Sequence, residues 1–345
     1  MTRGGETVRV GVIGRGFGAR VVAPVFAATD GCEVVDVVTP RDEAAVASLC
    51  RRDDVDLISV HSPPFLHLDH VRQAVAAGHA VLCDKPFGRN ADDAAEMCEL
   101  AREAGVMNFV NYEFRCHPLR RRLRELVRDG AMGTVEHLQW TSWLSAWGPG
   151  AGRPFGWSFD AELGGGWVRV FASHNIDFAR WTFGEIVDAT AALRTSVDER
   201  PDADGRMRKC TGETGFTAVM RTATGVSITF DSTATAPIER PNRVTVIGSE
   251  GILDMCSDNV HEIGGWLELH TEAGTSEVFR VEQDGDNHQL EMTPWATIVC
   301  DALQRGAVEP DTPTFADGAA AAVVMDRLTR PGSMRARTTT PAGDG

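Results

Sequence analysis

The residues whose types and spacing could do chemistry begin at the end of the first strand-like run. GVIGRGFGAR carries Gly14-x-Gly16-x-x-Ala19, the G-x-G-x-x-G/A spacing of a dinucleotide loop. The chemistry is anion binding. Gly14 permits the tight turn, Gly16 lets the backbone approach a pyrophosphate, and Ala19 keeps the following helix close to the strand. The N–H groups and dipole of that helix then receive the phosphates, with Phe17 and Gly18 inside the same loop. Glycine is common in this chain, at 35 residues, so spacing alone says little. The loop gains weight because it follows a strand, opens a helical pattern and sits in a βαβ unit. Farther on, the second strand ends Val38-Thr39-Pro40-Arg41-Asp42. A hydroxyl followed by an Arg suits an adenosine 2′-phosphate, which favours NADP(H). Asp42 keeps NAD(H) as the alternative.

These residues need a frame, and the first part of the chain supplies one. Strand-like runs at 8–14, 33–39, 55–60, 80–83 and 106–110 alternate with helical patterns. Continuous apolar runs suit a parallel sheet buried on both faces, so the expectation is a Rossmann domain over 1–115. The stretch from Pro40 to Asp54 has room for one helix only, which shortens the fold by about one βα unit. Asn90 is placed to cap a helix that ends at Gly105. A helix over the Arg-rich segment around Arg120, Arg121, Arg122, Arg124 and Arg128 has an apolar stripe, and its arginines read as a solvated face.

Beyond it the pattern becomes antiparallel, with strands at 137–144, 215–222, 225–233, 243–248 and 266–271. The expected second domain, 116–330, is an α+β substrate and oligomerisation domain with a large, mostly antiparallel sheet. Two helices close it, one capped by Thr293 with Pro294 at its first position, the other following Thr314. Residues 331–345, rich in Thr, Pro and Gly, are expected to form a frayed tail.

Composition excludes other classes. A net charge of −15 would repel nucleic acid and anionic lipid. No signal-peptide stretch or membrane-length apolar run is seen, and the eight cysteines form no C-x-x-C pair, so a cytoplasmic protein with reduced thiols is expected. No metal site is expected.

With those residues in hand, the chain resembles the glucose–fructose oxidoreductase and inositol dehydrogenase (Gfo/Idh/MocA) family from Val8 to about Leu328. The glycine loop is the first element. SVHSPPFLHLDHV is similar to the family's strand ending in a Pro pair before a helix with an early His. That implies Ser62, Pro63 and His67 beside the nicotinamide. Cys83-Asp84-Lys85-Pro86-Phe87 resembles the family's Glu-Lys-Pro with Asp84 in place of Glu. Val110-Asn111-Tyr112-Glu113-Phe114-Arg115 lies at the crossover, and GGGWVRVFASHNID resembles the Gly-rich stretch leading to Ser-His-x-x-Asp, with His174 and Asp177. Arg115, Arg169 and Asp177 are the implied substrate-binding residues.

In such proteins the Lys contacts the reacting oxygen and nicotinamide ribose, and the His serves as acid or base. Bottom-up chemistry agrees, since hydride transfer to a carbonyl leaves an alkoxide that needs a cation and a proton donor. Lys85 and His174 fill those roles. His61 and His70 read as structural. The tryptophans at 140, 143, 147, 157 and 167 form either a sugar-stacking wall or core.

One departure stands out. Many sugar and inositol dehydrogenases of this family carry an Asp four residues before the His, where this chain has Val170. Its one Tyr, Tyr112, leaves no tyrosine there to replace it. The leading expectation is an NADP(H)-dependent oxidoreductase of a sugar-like or cyclic alcohol or ketone, a homo-oligomer by analogy. A non-catalytic NADP-binding sensor or scaffold is an alternative. So is an enzyme that cycles its cofactor internally during elimination on a sugar.

Overall fold

The computed structural model describes residues 7–257, 264–282, 288–330 and 335–337. In chain order the first half contains β1 (Val8–Ile13), α1 (Ala23–Ala28), β2 (Cys32–Val38), α2 (Glu43–Cys50), β3 (Leu57–Val60), α3 (Pro64–Ala76), β4 (Ala80–Cys83), α4 (Ala91–Ala104) and β5 (Asn108–Val110). There follow α5 (Pro118–Arg128), β6 (Val135–Trp143), α6 (Ser173–Phe183), β7 (Ile186–Thr195), β8 (Glu199–Pro201), β9 (Met207–Lys209), β10 (Gly215–Thr222) and β11 (Ser227–Thr233). The chain ends with β12 (Asn242–Gly248), β13 (Ile252–Ser257), β14 (Gly265–Thr271), β15 (Gly274–Val281), α7 (Gln289–Arg305), α8 (Phe315–Thr329) and β16 (Arg335–Arg337).

Two units result, Met1–His117 with Asp286–Val323, and Pro118–Gly285 with Val324–Gly345. The first is built on a parallel sheet in the order β2-β1-β3-β4-β5. Every residue of β3 and β4 is buried, as a sheet covered on both faces requires. β2 is an edge strand, as expected of a Rossmann sheet shortened on that side. Local signals set the helix ends. Asp42 accepts from the Ala45 N–H to cap α2, Asn90 accepts from Asp93 to cap α4, and Gly105 in the left-handed region ends α4.

The helix expected to start at Thr293 instead begins at Gln289, with Pro294 inside it. An interior Pro costs about 3 kcal/mol. The longer helix buries Met292 ahead of Trp295, Val299 and Leu303 in the first unit's core, beside Val8, Val10, Phe26 and Phe109. The Met292 side chain that the longer helix adds contributes about 1.5–3 kcal/mol, comparable to that cost.

The second unit holds a nine-stranded sheet, β15-β14-β13-β12-β6-β11-β10-β7-β16, antiparallel except where β11 meets β6 and β16 meets β7. Along β10, Phe216, Ala218 and Met220 are buried while Thr217, Val219 and Arg221 face solvent, so one face of the sheet is open there. Where a frayed tail was expected, Arg335–Arg337 adds to the sheet edge. Main-chain hydrogen bonding to β7 needs no particular side-chain composition. Residues 331–334 and 338–345 lie outside the described residues.

The Arg-rich helix α5 departs from expectation at one position. Arg120 is buried, donates to Asn175 Oδ1 at 2.9 Å, and lies over the rings of Trp140 and Phe178 at 5.1 and 5.3 Å. A guanidinium can be buried when aromatic faces and an acceptor surround it. All eight cysteines are free thiols. Among the described residues no helix is long and apolar enough to cross a membrane.

Candidate active site

In the first unit the glycine loop runs from the end of β1 into a π turn, Gly18–Val22, that continues as α1. π turns recur at functional sites. Gly14 donates to the Val38 carbonyl at 3.0 Å, which fastens the loop to the end of β2. A Cβ on Gly14 would lie 2.7 Å from the His61 carbonyl oxygen, and one on Gly18 3.0 Å from the His61 Cβ. The close helix–strand approach expected at Ala19 therefore falls at Gly18, which is buried while Ala19 is half-buried. A Cβ on Gly16 would meet no protein atom within 4 Å, so its backbone is open to a ligand. This arrangement fits a pyrophosphate. Phe17 packs edge-on against His288, with ring centroids 5.2 Å apart.

At the end of β2, Thr39 and Arg41 are exposed. Arg15 also reaches this spot, its Nε donating to Thr39 Oγ1 at 3.2 Å. Reading the sequence overlooked Arg15. The signal was a basic residue between the two glycines, which the strand order brings to the end of β2. Asp42 is occupied as the α2 cap, 3.0 Å from the Ala45 N–H.

Asp84, Lys85 and their neighbours form the second cluster of this unit. Asp84 Oδ1 accepts from the Lys85 N–H at 2.8 Å and from Asn111 Nδ2 at 3.3 Å; Oδ2 lies 3.2 Å from His61 Nδ1. Burial pushes the Asp84 carboxyl up, but the hydrogen bond and charge of His61, with Lys85, outweigh it and hold the group below the ordinary range. Lys85 is half-buried and precedes a cis bond to Pro86.

Ser62, Pro63 and His67 sit at the turn into α3. The Ser62 hydroxyl meets His70 Nδ1 at 3.0 Å and its carbonyl meets His67 Nε2 at 2.7 Å. His67, implied as a cofactor contact, is fully buried and braces this turn from within.

Burial pushes the His67 imidazole from the ordinary 6.5 down to about 4, with Asp84 only partly opposing. The unfolded chain therefore takes up the proton first as pH falls, and folding loses stability between about pH 6.5 and 4. The loss should reach about 3 kcal/mol at the acid end. Denaturant titrations at pH 7.5 and 4.5 should show the wild type losing more stability than His67→Gln. Equal losses would remove His67 as the cause.

The second unit holds the other residues singled out in the sequence. Gly166 has φ +103°, and a Cβ there would run into the Glu213 carboxylate. Glu213 Oε1 accepts the Val168 N–H at 2.8 Å and so caps another π turn, Val168–Ala172, which runs into α6. His174 and Asp177 are buried on α6, with Arg180 4.0 Å from Asp177. Val170 lies four residues before His174, and it and Phe171 are partly exposed within this otherwise buried stretch.

The implied substrate residues Arg169 and Arg115 both hold acidic partners. In this unit Arg169 is ion-paired with Asp326. In the first unit, Arg115 bonds Asp317 at 2.7 Å. Trp140, Trp147 and Trp167 belong to the core and form no stacking wall. Trp143 is exposed, its indole N–H bonded to Asp231 at 2.7 Å, and Trp157 is half-buried.

Comparison with known proteins bears on this arrangement. Residues 8–112 match the oxidoreductase family with an NAD-binding Rossmann fold, and 120–254 match the GFO/IDH/MocA C-terminal domain. The chain belongs to this family. It is an oxidoreductase that binds a nicotinamide dinucleotide on its Rossmann domain. An uncharacterized oxidoreductase of Synechocystis sp. is 28% identical over 77% of this chain and 76% of its own. The solved structure of a levoglucosan dehydrogenase with NADH and levoglucosan superposes with a TM-score of 0.81, at 18% identity over 94% of this chain and 96% of its own. A 3-ketoreductase from Actinomadura kijaniata in complex with NADP and TDP-benzene gives 0.75, at 22% identity over 97% and 100%. At such identities the two structures show a shared fold.

Proposed function

We propose that this chain is an NADP(H)-dependent oxidoreductase acting on a sugar-like or cyclic alcohol or ketone. The end of β2 carries the cofactor preference. Thr39, Arg41 and Arg15 offer a hydroxyl and two guanidinium groups where a 2′-phosphate would lie, and Asp42 gives one carboxylate oxygen to its helix cap. The first unit, which takes in α7 as well as the parallel sheet, would hold the dinucleotide, and the second unit would carry the substrate and the contacts of a homo-oligomer. Relatives named for levoglucosan and for a ketoreductase reaction support a cyclic polyol or its ketone.

A nicotinamide dinucleotide bound on the glycine loop would supply or take the hydride. The family resemblance gives Lys85 the role of the cation that meets a developing alkoxide and His174 that of the proton donor. In the alcohol-to-ketone direction the same groups take the proton away. Val170, in place of an Asp, favours a second reading, a non-catalytic NADP-binding sensor. Turnover of NADPH with a panel of cyclic ketones and ketosugars separates the two. Tight binding without turnover on any of them would favour the sensor.

Arg41→Ala and Arg15→Ala should each weaken NADPH binding by about 1–3 kcal/mol, the cost of a charge-assisted hydrogen bond, and leave NADH binding nearly unchanged. Fluorescence titration with both cofactors checks this. Equal weakening for both would mean that the arginines support adenine or the fold, and the NADP preference would lose its basis.

A further inference from the structure

We propose that His61 is a positioning residue that couples the glycine loop to Lys85. The proposal rests on Lys85 as the cation of the reaction. His61 lies just past β3, and its N–H bonds the Ile13 carbonyl at 2.8 Å, one residue before Gly14. Its carbonyl and Cβ form the floor on which Gly14 and Gly18 rest. The ring is enclosed, with none of the side chain exposed, and Phe17 lies at its edge with centroids 6.1 Å apart.

From that floor the ring spans two partners. Nε2 is 2.7 Å from Ser59 Oγ and Nδ1 is 3.2 Å from Asp84 Oδ2. An ionised Asp84 can only accept, so the facing Nδ1 carries a proton, and Nε2 faces the Ser59 hydroxyl. The other carboxylate oxygen accepts the Lys85 backbone N–H. Ser59, His61, Asp84 and the Lys85 main chain thus form one hydrogen-bonded chain. It starts under the loop that takes the phosphates and ends at the residue that meets the reacting oxygen.

A side chain that only fills space would leave a different kinetic signature from one that aims Lys85. His61→Ala keeps the Cβ on which the glycines rest and removes the ring. It should lower kcat roughly tenfold to a hundredfold, the cost of misplacing a catalytic group by about an ångström. NADPH affinity, read by fluorescence titration, should stay close to the wild-type value. Asn places an amide N–H where Nδ1 was, so His61→Asn should recover most of the lost kcat. Asp84→Asn should match His61→Ala, and the double variant should be no worse than the more damaged single one.

Nitrogen-15 labelling of the histidines gives a readout independent of turnover. Nδ1 of His61 should carry the proton, and its resonance should move in Asp84→Asn and vanish in His61→Asn. If His61→Ala does not fold, His61→Asn and Asp84→Asn with the nitrogen spectrum carry the test. An unprotonated Nδ1, a wild-type kcat in His61→Ala, or no recovery in a folded His61→Asn would overturn the coupling while Lys85→Ala remains crippled. Near-normal Lys85→Ala would instead overturn the role of Lys85 itself, and this inference with it.

Discussion

Lys85→Ala should lower kcat by two or more orders of magnitude while leaving NADPH affinity within a few-fold of the wild type. The size follows from the charge that appears on the substrate oxygen. A ketone binds as a neutral dipole and leaves the transition state as a nascent alkoxide, so a cation beside it interacts more strongly with the transition state than with the ground state. Removing one preorganised donor of this kind costs about 2.7–4 kcal/mol, which is a hundredfold to a thousandfold in rate.

Cofactor affinity should be spared because, on the proposed reading, the pyrophosphate would rest on the backbone around Gly14 and Gly16, which Lys85 does not form. Lys85→Arg should rescue little. A planar guanidinium presents its donors in a fixed fork, whereas the ammonium is a compact point charge. The His61–Asp84 chain fixes the main chain from which either must reach. Steady-state kinetics with saturating NADPH, paired with a binding titration, checks both parts. An Ala variant with near-normal kcat would remove Lys85 from the chemistry.

What the sequence disclosed follows the range of the forces involved. Features set by neighbours a few residues away were legible, such as the Asn90 cap, the Gly105 stop, and the βα alternation of the first unit. Those set by distant partners were not. Arg120 reads as one more solvated arginine until β6 and α6 bring Trp140, Phe178 and Asn175 around it. The Thr293 cap looked sound from local rules, but the core needed Met292, and the helix ran through Pro294 to bury it.

Strands failed for a different reason. In β7, IVDATAALRT lacks a clean alternation because its burial is uneven along the strand, and the edge strand β15 is largely polar. At the candidate site, Lys85 and Asp84 are proposed through a motif, but Arg15 and the Ser59–His61–Asp84 chain depend on strand order. Nothing in the linear text places residue 15 against 39, or 61 against 84.

The last expected result concerns His174 and the position before it. His174→Asn should slow carbonyl reduction severely, by roughly a hundredfold or more, because proton donation in the transition state contributes about 10²–10⁴-fold. In the wild type, kcat for reduction should fall as pH rises and the ring loses its proton. In the Asn variant that limb should flatten, since an amide has no proton to give in this range. NADPH affinity should be unchanged.

Position 170 adds a second arm. Val170 stands one helical turn before His174, where residues four apart are neighbours, so Val170→Asp would set a carboxylate beside the imidazole. An adjacent anion favours the charged ring. The declining limb should therefore move to higher pH in Val170→Asp, and activity on cyclic polyols should rise if the pocket suits them. A pH profile that survives intact in His174→Asn would exclude His174 as the donor. With Val170 on the same turn, the sensor reading would then account better for a helix that carries no working acid.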